Sequence, residues 1–282
     1  MKYAVTIVSP PGFIHAEAFR EVAETIDAGL RALGHDCILT TQGHIEGRRH
    51  IVLGANLLPR HPIALAPDAI IYNLEQIRNN HVWLNDAFLA ILKRHTVWDY
   101  SADNAAALAE LGVRVARILP IGYADSLTRI TPRADKDIDV LFIGSMNDRR
   151  GAIMEAMRGA GLAAVNYFGI YGRERDALIA RARVMLNTHF FDAKVLEAVR
   201  ISYYLANRCV VLSEPGANAA DDAVFDGGVV FAPYDQLVQR AWQLCADPAL
   251  RERIAAAGFE IIKNRRIETY LAEALREDPA AP

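Results

Sequence analysis

Cysteine is scarce and scattered in this chain. Cys37, Cys209 and Cys245 form no C-x-x-C pair, which argues against the common zinc and thiol–disulfide motifs. Cys37 and Cys209 fall in strand-like apolar runs and read as small buried hydrophobes. An odd count without a disulfide pattern suits a reducing cytoplasm. No apolar run is long enough to span a bilayer. Residues 1–8 read as a first strand rather than a signal peptide, because the run is short and no cleavage site follows. Positive charge is not in excess either. A net charge of −3 gives no general field that would draw nucleic acid. The eight histidines show no H-E-x-x-H spacing. There is no G-x-G-x-x-G fingerprint, no Walker loop, no repeat and no low-complexity tract.

What is present is ample core material. With 282 residues, 52% hydrophobic and 23% charged, the chain can bury the cores of two domains. Short apolar runs alternate with amphipathic segments. Strands are expected at 4–8, 37–40, 50–53, 69–72, 96–98 and 115–119, with helices at 15–33, 85–93 and 103–111. The polar, proline-bearing stretch 131–137 reads as a linker. The pattern then restarts. Strands are expected at 138–143, 163–168, 184–188, 209–213 and 228–231, and helices at 149–157, 174–182, 194–205, 236–245, 249–259 and 267–275. The alternation predicts an α/β fold of two doubly wound, Rossmann-like domains facing a cleft, with ligands beyond the carboxyl ends of the strands. The expected division is 1–130, 138–262 and a terminal helix, 263–282, that packs back on the first domain.

Two segments carry the chemistry. In Gly144-Ser145-Met146-Asn147-Asp148-Arg149-Arg150, a glycine follows a buried strand and a helix begins near Asn147 or Asp148. Such a turn lets a ligand approach the backbone, and the helix end attracts anions. Arg149 and Arg150 would add charge-assisted bonds to a diphosphate. The plain alternative is an ordinary strand–turn–helix with solvated arginines. In the second segment, a helix from Lys194 would place Lys194, Glu197 and Arg200 on one face. A first-turn carboxylate at Glu197 can accept both hydroxyls of a ribose, and Lys194 can meet phosphate. The same spacing also describes a surface Lys–Glu–Arg ladder.

The run from Val195 to Glu214 resembles the donor-site segment of GT-B fold glycosyltransferases, in which a glutamate-bearing helix feeds a strand ending in Ser-Glu. The likeness covers roughly residues 138–260. It implies that Glu197 binds the donor ribose, that Gly144, Ser145, Asn147, Arg149 and Arg150 face the diphosphate, and that Tyr171 in the 169–172 turn stacks on the nucleobase. Lys194, Arg200 and His189 complete the donor set. One departure is plain. The family places a second glutamate before the ribose glutamate, with seven residues between, and here that position is His189. The nearest acid is Asp192.

The first domain is expected to hold the acceptor, through Ser9, Gly12, Asn73 and Tyr100 on loops after strands. Deprotonating an acceptor hydroxyl needs a base, for which His15, Glu75 and Asp99 are the candidates. Asp99 is also readable as a cap, and Glu75 as the partner of Arg78. The D-x-D letters at Asp135-Lys-Asp137 and Asp137-Ile-Asp139 lie at a strand entry, the wrong end for a ligand, so no metal or other cofactor is expected. The implied activity is transfer of a sugar from a nucleoside-diphosphate donor to a protein, glycan or small-molecule acceptor, by a cytoplasmic, bacterial enzyme without nucleic-acid partners. The shortness of the chain for this fold suits action with a partner or as a homo-oligomer. Rival readings are a nucleotide-sugar epimerase of the same fold and a non-catalytic nucleotide- or sugar-binding module.

Overall fold

The structure is a computed structural model that describes residues 1–78, 83–191 and 194–276. It forms two compact units, Met1–Ser126 with Arg265–Pro282, and Leu127–Asn264.

The first unit contains β1 (Lys2–Ile7), α1 (Arg20–Ala32), β2 (Asp36–Thr40), β3 (Arg49–Leu53), β4 (Ile70–Asn73), α2 (Asp86–Arg94), β5 (Thr96–Asp99), α3 (Ala102–Glu110) and β6 (Val115–Ile118). Its six strands pair in parallel in the order β2-β1-β3-β4-β5-β6. Every residue of β3 and β4 is buried, as expected for central strands covered on both faces. Beneath one face, Val52, Ile71 and Val97 pack with Phe88 and Leu92 of α2 and Leu108 of α3. On α1, Val22, Ile26 and Leu30 recur every fourth residue and are all buried. Such side chains contribute about 1.5–3 kcal/mol each on burial.

The helix expected at 15–33 is divided. Residues Ile14–Phe19 wind as a 3₁₀ turn, and the α-helix starts only at Arg20. Phe13, at the N-terminal boundary, offers no capping side chain. Asn85 and Ser101, by contrast, cap α2 and α3 by accepting from Phe88 N and Asn104 N.

Buried His50 ties the sheet to a loop. Its Nε2 accepts from Ile45 N at 2.8 Å, so Nδ1 carries the proton and faces Thr6 Oγ1, also at 2.8 Å. Burial lowers the pKa of this ring, and nearby His44 lowers it further. The unfolded chain therefore takes up this proton first. The contribution of His50 to stability is complete above about pH 6.5 and declines as pH falls below it. Urea midpoints should drop between pH 7.5 and 5.5, with a smaller drop in His50→Asn. Equal drops in both proteins would contradict this assignment.

The second unit contains β7 (Ile138–Ile143), α4 (Asp148–Gly159), β8 (Ala164–Tyr167), α5 (Gly172–Arg181), β9 (Ala182–Asn187), α6 (Ala198–Ala206), β10 (Val211–Ser213), α7 (Ala219–Ala223), β11 (Val229–Phe231), α8 (Leu237–Ala246) and α9 (Pro248–Lys263). Its parallel sheet runs β11-β10-β9-β7-β8. Val140, Phe142, Val184 and Leu186 pack against Ile153, Met154 and Met157 of α4 and against Leu237, Ala241 and Leu244 of α8.

The helix expected at 194–205 begins four residues late. Glu197 is its N-cap position, and Lys194 lies outside it with a left-handed φ of 47°. Two interactions hold the chain off the helical path. Lys194 O accepts from Ala217 N, and the Glu197 carboxylate is drawn inward to Asn187. Lys194 and Glu197 therefore do not share a helical face with Arg200.

The last helix, α10 (Ile267–Arg276), belongs to the first unit and packs on α1. Tyr123 N donates to Arg265 O at 2.8 Å and Ile267 N to Tyr123 O at 3.0 Å, which pins its entry.

Candidate functional site

In the second unit, polar side chains gather at the carboxyl ends of β7, β9 and β10. Glu197 is their centre. Its Oε2 accepts from Asn187 Nδ2 at 3.0 Å and lies 3.2 Å from His189 Nδ1, while Oε1 lies 3.5 Å from Arg150 Nη2. Burial raises the pKa of this carboxyl, but His189, Arg200 and Asn187 together outweigh it and the net shift is downward. Glu197 is ionised at neutral pH.

His189 stands where the sequence departs from the family pattern. Its side chain is 2% exposed. Nδ1 faces the Glu197 carboxylate and Nε2 faces Pro215 O at 3.0 Å. A carboxylate at Nδ1 and a carbonyl at Nε2 favour the doubly protonated, charged ring. Burial opposes that charge, but the pairing with Glu197 outweighs it and raises the pKa. Nε2 is held by the Pro215 carbonyl, while Nδ1 meets Glu197 as an ion-pair contact without hydrogen-bond geometry. Asp192, the acid nearest to His189 in sequence, lies outside the described residues.

The two arginines of the 144–150 turn have different roles. Asn147 caps α4 by accepting from Arg150 N at 2.9 Å. The Arg149 guanidinium forks onto both oxygens of Glu214 and lies 4.0 Å from the centre of the Tyr234 ring. Arg149 lowers the pKa of the Glu214 carboxyl against the effect of burial, and Glu214 also accepts from His189 N. Arg150 turns inward and is 3% exposed. It donates to Thr188 O from Nε and Nη2 and to Ser145 O from Nη1. Burial, aided by Arg200, pulls its pKa down to about 10, so it keeps its charge. Neither is the solvated arginine of an ordinary strand–turn–helix. One is half-buried in an ion pair, and the other is enclosed.

Arg200 donates Nη1 to Asn187 Oδ1 at 2.8 Å. Gly144 makes room for it, because a Cβ there would lie 3.1 Å from Arg200 Nη2. Lys194 is exposed. Tyr171 immediately precedes α5. Asn187, Glu214 and Tyr234 were not among the sequence candidates. A polar residue closing the apolar run Met185-Leu186-Asn187 was the available signal for the first, and Ser213-Glu214 at a strand end for the second.

A second polar group occupies the carboxyl ends of β4 and β5 in the first unit. Asp99 is fully buried. Its Oδ2 accepts from Asn73 Nδ2 at 2.6 Å, and its Oδ1 accepts from Ser101 N at 2.9 Å and Asn104 Nδ2 at 3.2 Å. Burial pushes its pKa up to about 7, although these donors pull the other way. Asn104 also donates to Glu75 O and accepts from Ile77 N, tying the loop after β4 to α3. The carboxylate of Glu75 accepts from Asn56 Nδ2 at 3.1 Å. Arg78, which sequence spacing sets beside Glu75, pairs with Glu110 instead. The turn after β1 has an exposed Ser9 and a left-handed Gly12, followed by a half-buried His15 beside the Phe13 ring. Tyr100 is half-buried after β5. The acids of the D-x-D letters are committed elsewhere, Asp135 to Arg133, Asp137 to Arg181 and Asp139 to Arg183.

Solved structures share this pairing of two parallel α/β sheets. A glycosyltransferase of avilamycin A biosynthesis superposes with a TM-score of 0.54 at 15% identity, covering 98% of this chain and 97% of that one. The Anabaena HepE protein, solved in complex with UDP-glucose, superposes with a TM-score of 0.60 at 12% identity, covering 99% and 100%. The fold is the GT-B fold of glycosyltransferases. No protein-family profile matches the chain. An uncharacterized protein of Acanthamoeba polyphaga mimivirus is 24% identical over 215 residues, covering 72% of this chain and 68% of the relative. This viral relative lends no support to the bacterial source expected from sequence. Among the described residues, no helix is long and apolar enough to cross a membrane.

Proposed function

We propose that this GT-B protein is a glycosyltransferase that moves a sugar from a nucleoside-diphosphate donor to an acceptor hydroxyl. The observation that carries the reading is the ionised Glu197, set among arginines at the carboxyl ends of β7, β9 and β10. Among the described residues, its Oε1 has only the long Arg150 contact and retains capacity to accept a ribose hydroxyl. The cations around it suit a diphosphate. In the transfer, the anomeric carbon–oxygen bond breaks with its electron pair left on the diphosphate. The acceptor oxygen bonds to that carbon and gives up its proton.

For an inverting transfer that proton needs a base. Asp99 is enclosed with both oxygens occupied, and the Glu75 carboxylate holds Asn56. His15 is the half-exposed candidate, on the segment after β1. We assign the acceptor to this first unit and the base to His15.

Differential scanning fluorimetry with a panel of nucleoside diphosphates and their sugars tests the reading. A ligand at 100 times its Kd should stabilise the donor-binding unit by about 2.7 kcal/mol. Release of free diphosphate from the matching sugar nucleotide should follow. His15→Ala should keep the thermal shift and lose about 10²- to 10⁴-fold in kcat. A panel in which no diphosphate raises the melting temperature sinks the transferase reading. Binding without turnover of any sugar nucleotide would leave a binding module.

A further inference from the structure

The donor cluster contains more positive charge than its carboxylates balance. Glu197 and Glu214 stand against the three guanidiniums of Arg149, Arg150 and Arg200, with His189 beside them. Arg149 spends its fork on Glu214. Arg150 spends Nε, Nη1 and Nη2 on the carbonyls of Thr188 and Ser145. Arg200 differs from both. Among the described residues its one hydrogen bond goes to a neutral amide, Asn187 Oδ1, and no carboxylate lies within ion-pair contact of it, although its charge acts on Glu197 from further away. A guanidinium has five N–H donors in a rigid fork, so Arg200 keeps four for another acceptor.

Its position adds to this. Arg200 Nη2 lies against Gly144 at the end of β7, 3.1 Å from where a side chain would begin, in space that the missing Cβ leaves to it. The Arg200 guanidinium also stands 5.6 Å from the Phe142 ring, which helps hold its plane. Asn187, its one partner, is fully buried and is itself fixed by Ser213 Oγ and Glu197. The fork is therefore preorganised, charged and unspent, beside the carboxylate assigned to the ribose.

Resting on the transferase reading, we propose that Arg200, rather than Arg149 or Arg150, is the residue that takes the phosphate charge of a nucleoside diphosphate. Arg149 and Arg150 are positioning residues that hold Glu214 and the 145–188 strand ends in place. Glu197 at the N-cap of α6 and Arg200 in its first turn then read ribose and diphosphate together.

Calorimetric titration of UDP, GDP, ADP and dTDP, each beside its nucleoside, tests this. In the wild type, one diphosphate should bind more tightly than its nucleoside. Arg200→Gln should weaken that diphosphate by about 10- to 100-fold, the loss expected for charge-assisted bonds, and leave the nucleoside within about twofold. Arg200→Lys keeps the charge, loses the fork and should fall between. It also serves as the test protein should Arg200→Gln fail to fold, with a wild-type affinity then counting against the proposal. The salt dependence of diphosphate binding should be shallower in Arg200→Gln. Unchanged diphosphate affinity in Arg200→Gln, or an equal loss for nucleoside and diphosphate, overturns the assignment to Arg200 and leaves the transferase reading standing. No diphosphate binding by the wild type overturns both.

Discussion

Glu197→Ala is expected to destabilise the second unit by about 3–5 kcal/mol, the usual cost of removing one partner from a buried charge network. Arg150 is 3% exposed and His189 is 2% exposed, and both would lose their anion. Asn187 would lose an acceptor as well. Urea unfolding at neutral pH measures the loss, and a change below about 1 kcal/mol would contradict the network. The same variant has an NMR signature. His189 titrates above its ordinary range because Glu197 outweighs burial. In Glu197→Ala its pKa should fall, because burial is then opposed only by the Pro215 carbonyl and Glu214. The linkage follows the same sign. A raised histidine pKa contributes stability that is complete below about pH 6.5 and is lost as pH rises through the folded-state value, and the alanine variant should show this dependence weakened. A ligand-binding assay on Glu197→Ala therefore needs a folding control, and Glu197→Gln is the milder probe of the ribose assignment.

Gly122→Ala is expected to cost about 1–3 kcal/mol by overpacking the entry of α10. A Cβ at Gly122 would lie 2.8 Å from Ile267 Cα, and backbone at such a distance has to move. The movement would strain the bonds between Tyr123 and the 265–267 segment. It would also shift Ile267 and Leu271, whose side chains fill the surface of α1 at Gly29. Hydrogen exchange at the amides of α10 reports the effect locally. Faster exchange there, with β7–β11 unaffected, is the expected pattern. Protection of α10 at the wild-type level would show that the helix does not depend on this contact.

Much of the architecture was legible because burial in a parallel α/β unit repeats along the chain. The apolar runs of β3, β4 and β7 and the four-residue spacing of Val22, Ile26 and Leu30 each report a local environment. A cap at Asn147 or Asp148 was legible for the same reason, since such a bond reaches only three residues, and the structure makes it Asn147. The late start of α6 was not. It depends on the bond from Ala217 to Lys194, 23 residues apart, and on a carboxylate drawn to Asn187, so helical spacing around Glu197 pointed to the wrong geometry. Asp99 shows the same limit. Its place at a strand end marked it as a candidate base, whereas Asn73 and Asn104 enclose it.

The sequence by itself determined the alternation of strands and helices, the presence of two α/β units, and the strand ends at which polar groups collect. These follow from hydrophobic periods of two to four residues, which each segment carries within itself. Tertiary structure alone decided which of those polar groups are spent. Arg149 is taken by Glu214, 65 residues away, and Arg150 by Thr188, 38 residues away, while among the described residues the one hydrogen bond of Arg200 goes to an amide. A guanidinium looks the same in sequence whether its donors are satisfied or free. Only the fold brings distant acceptors to it or withholds them.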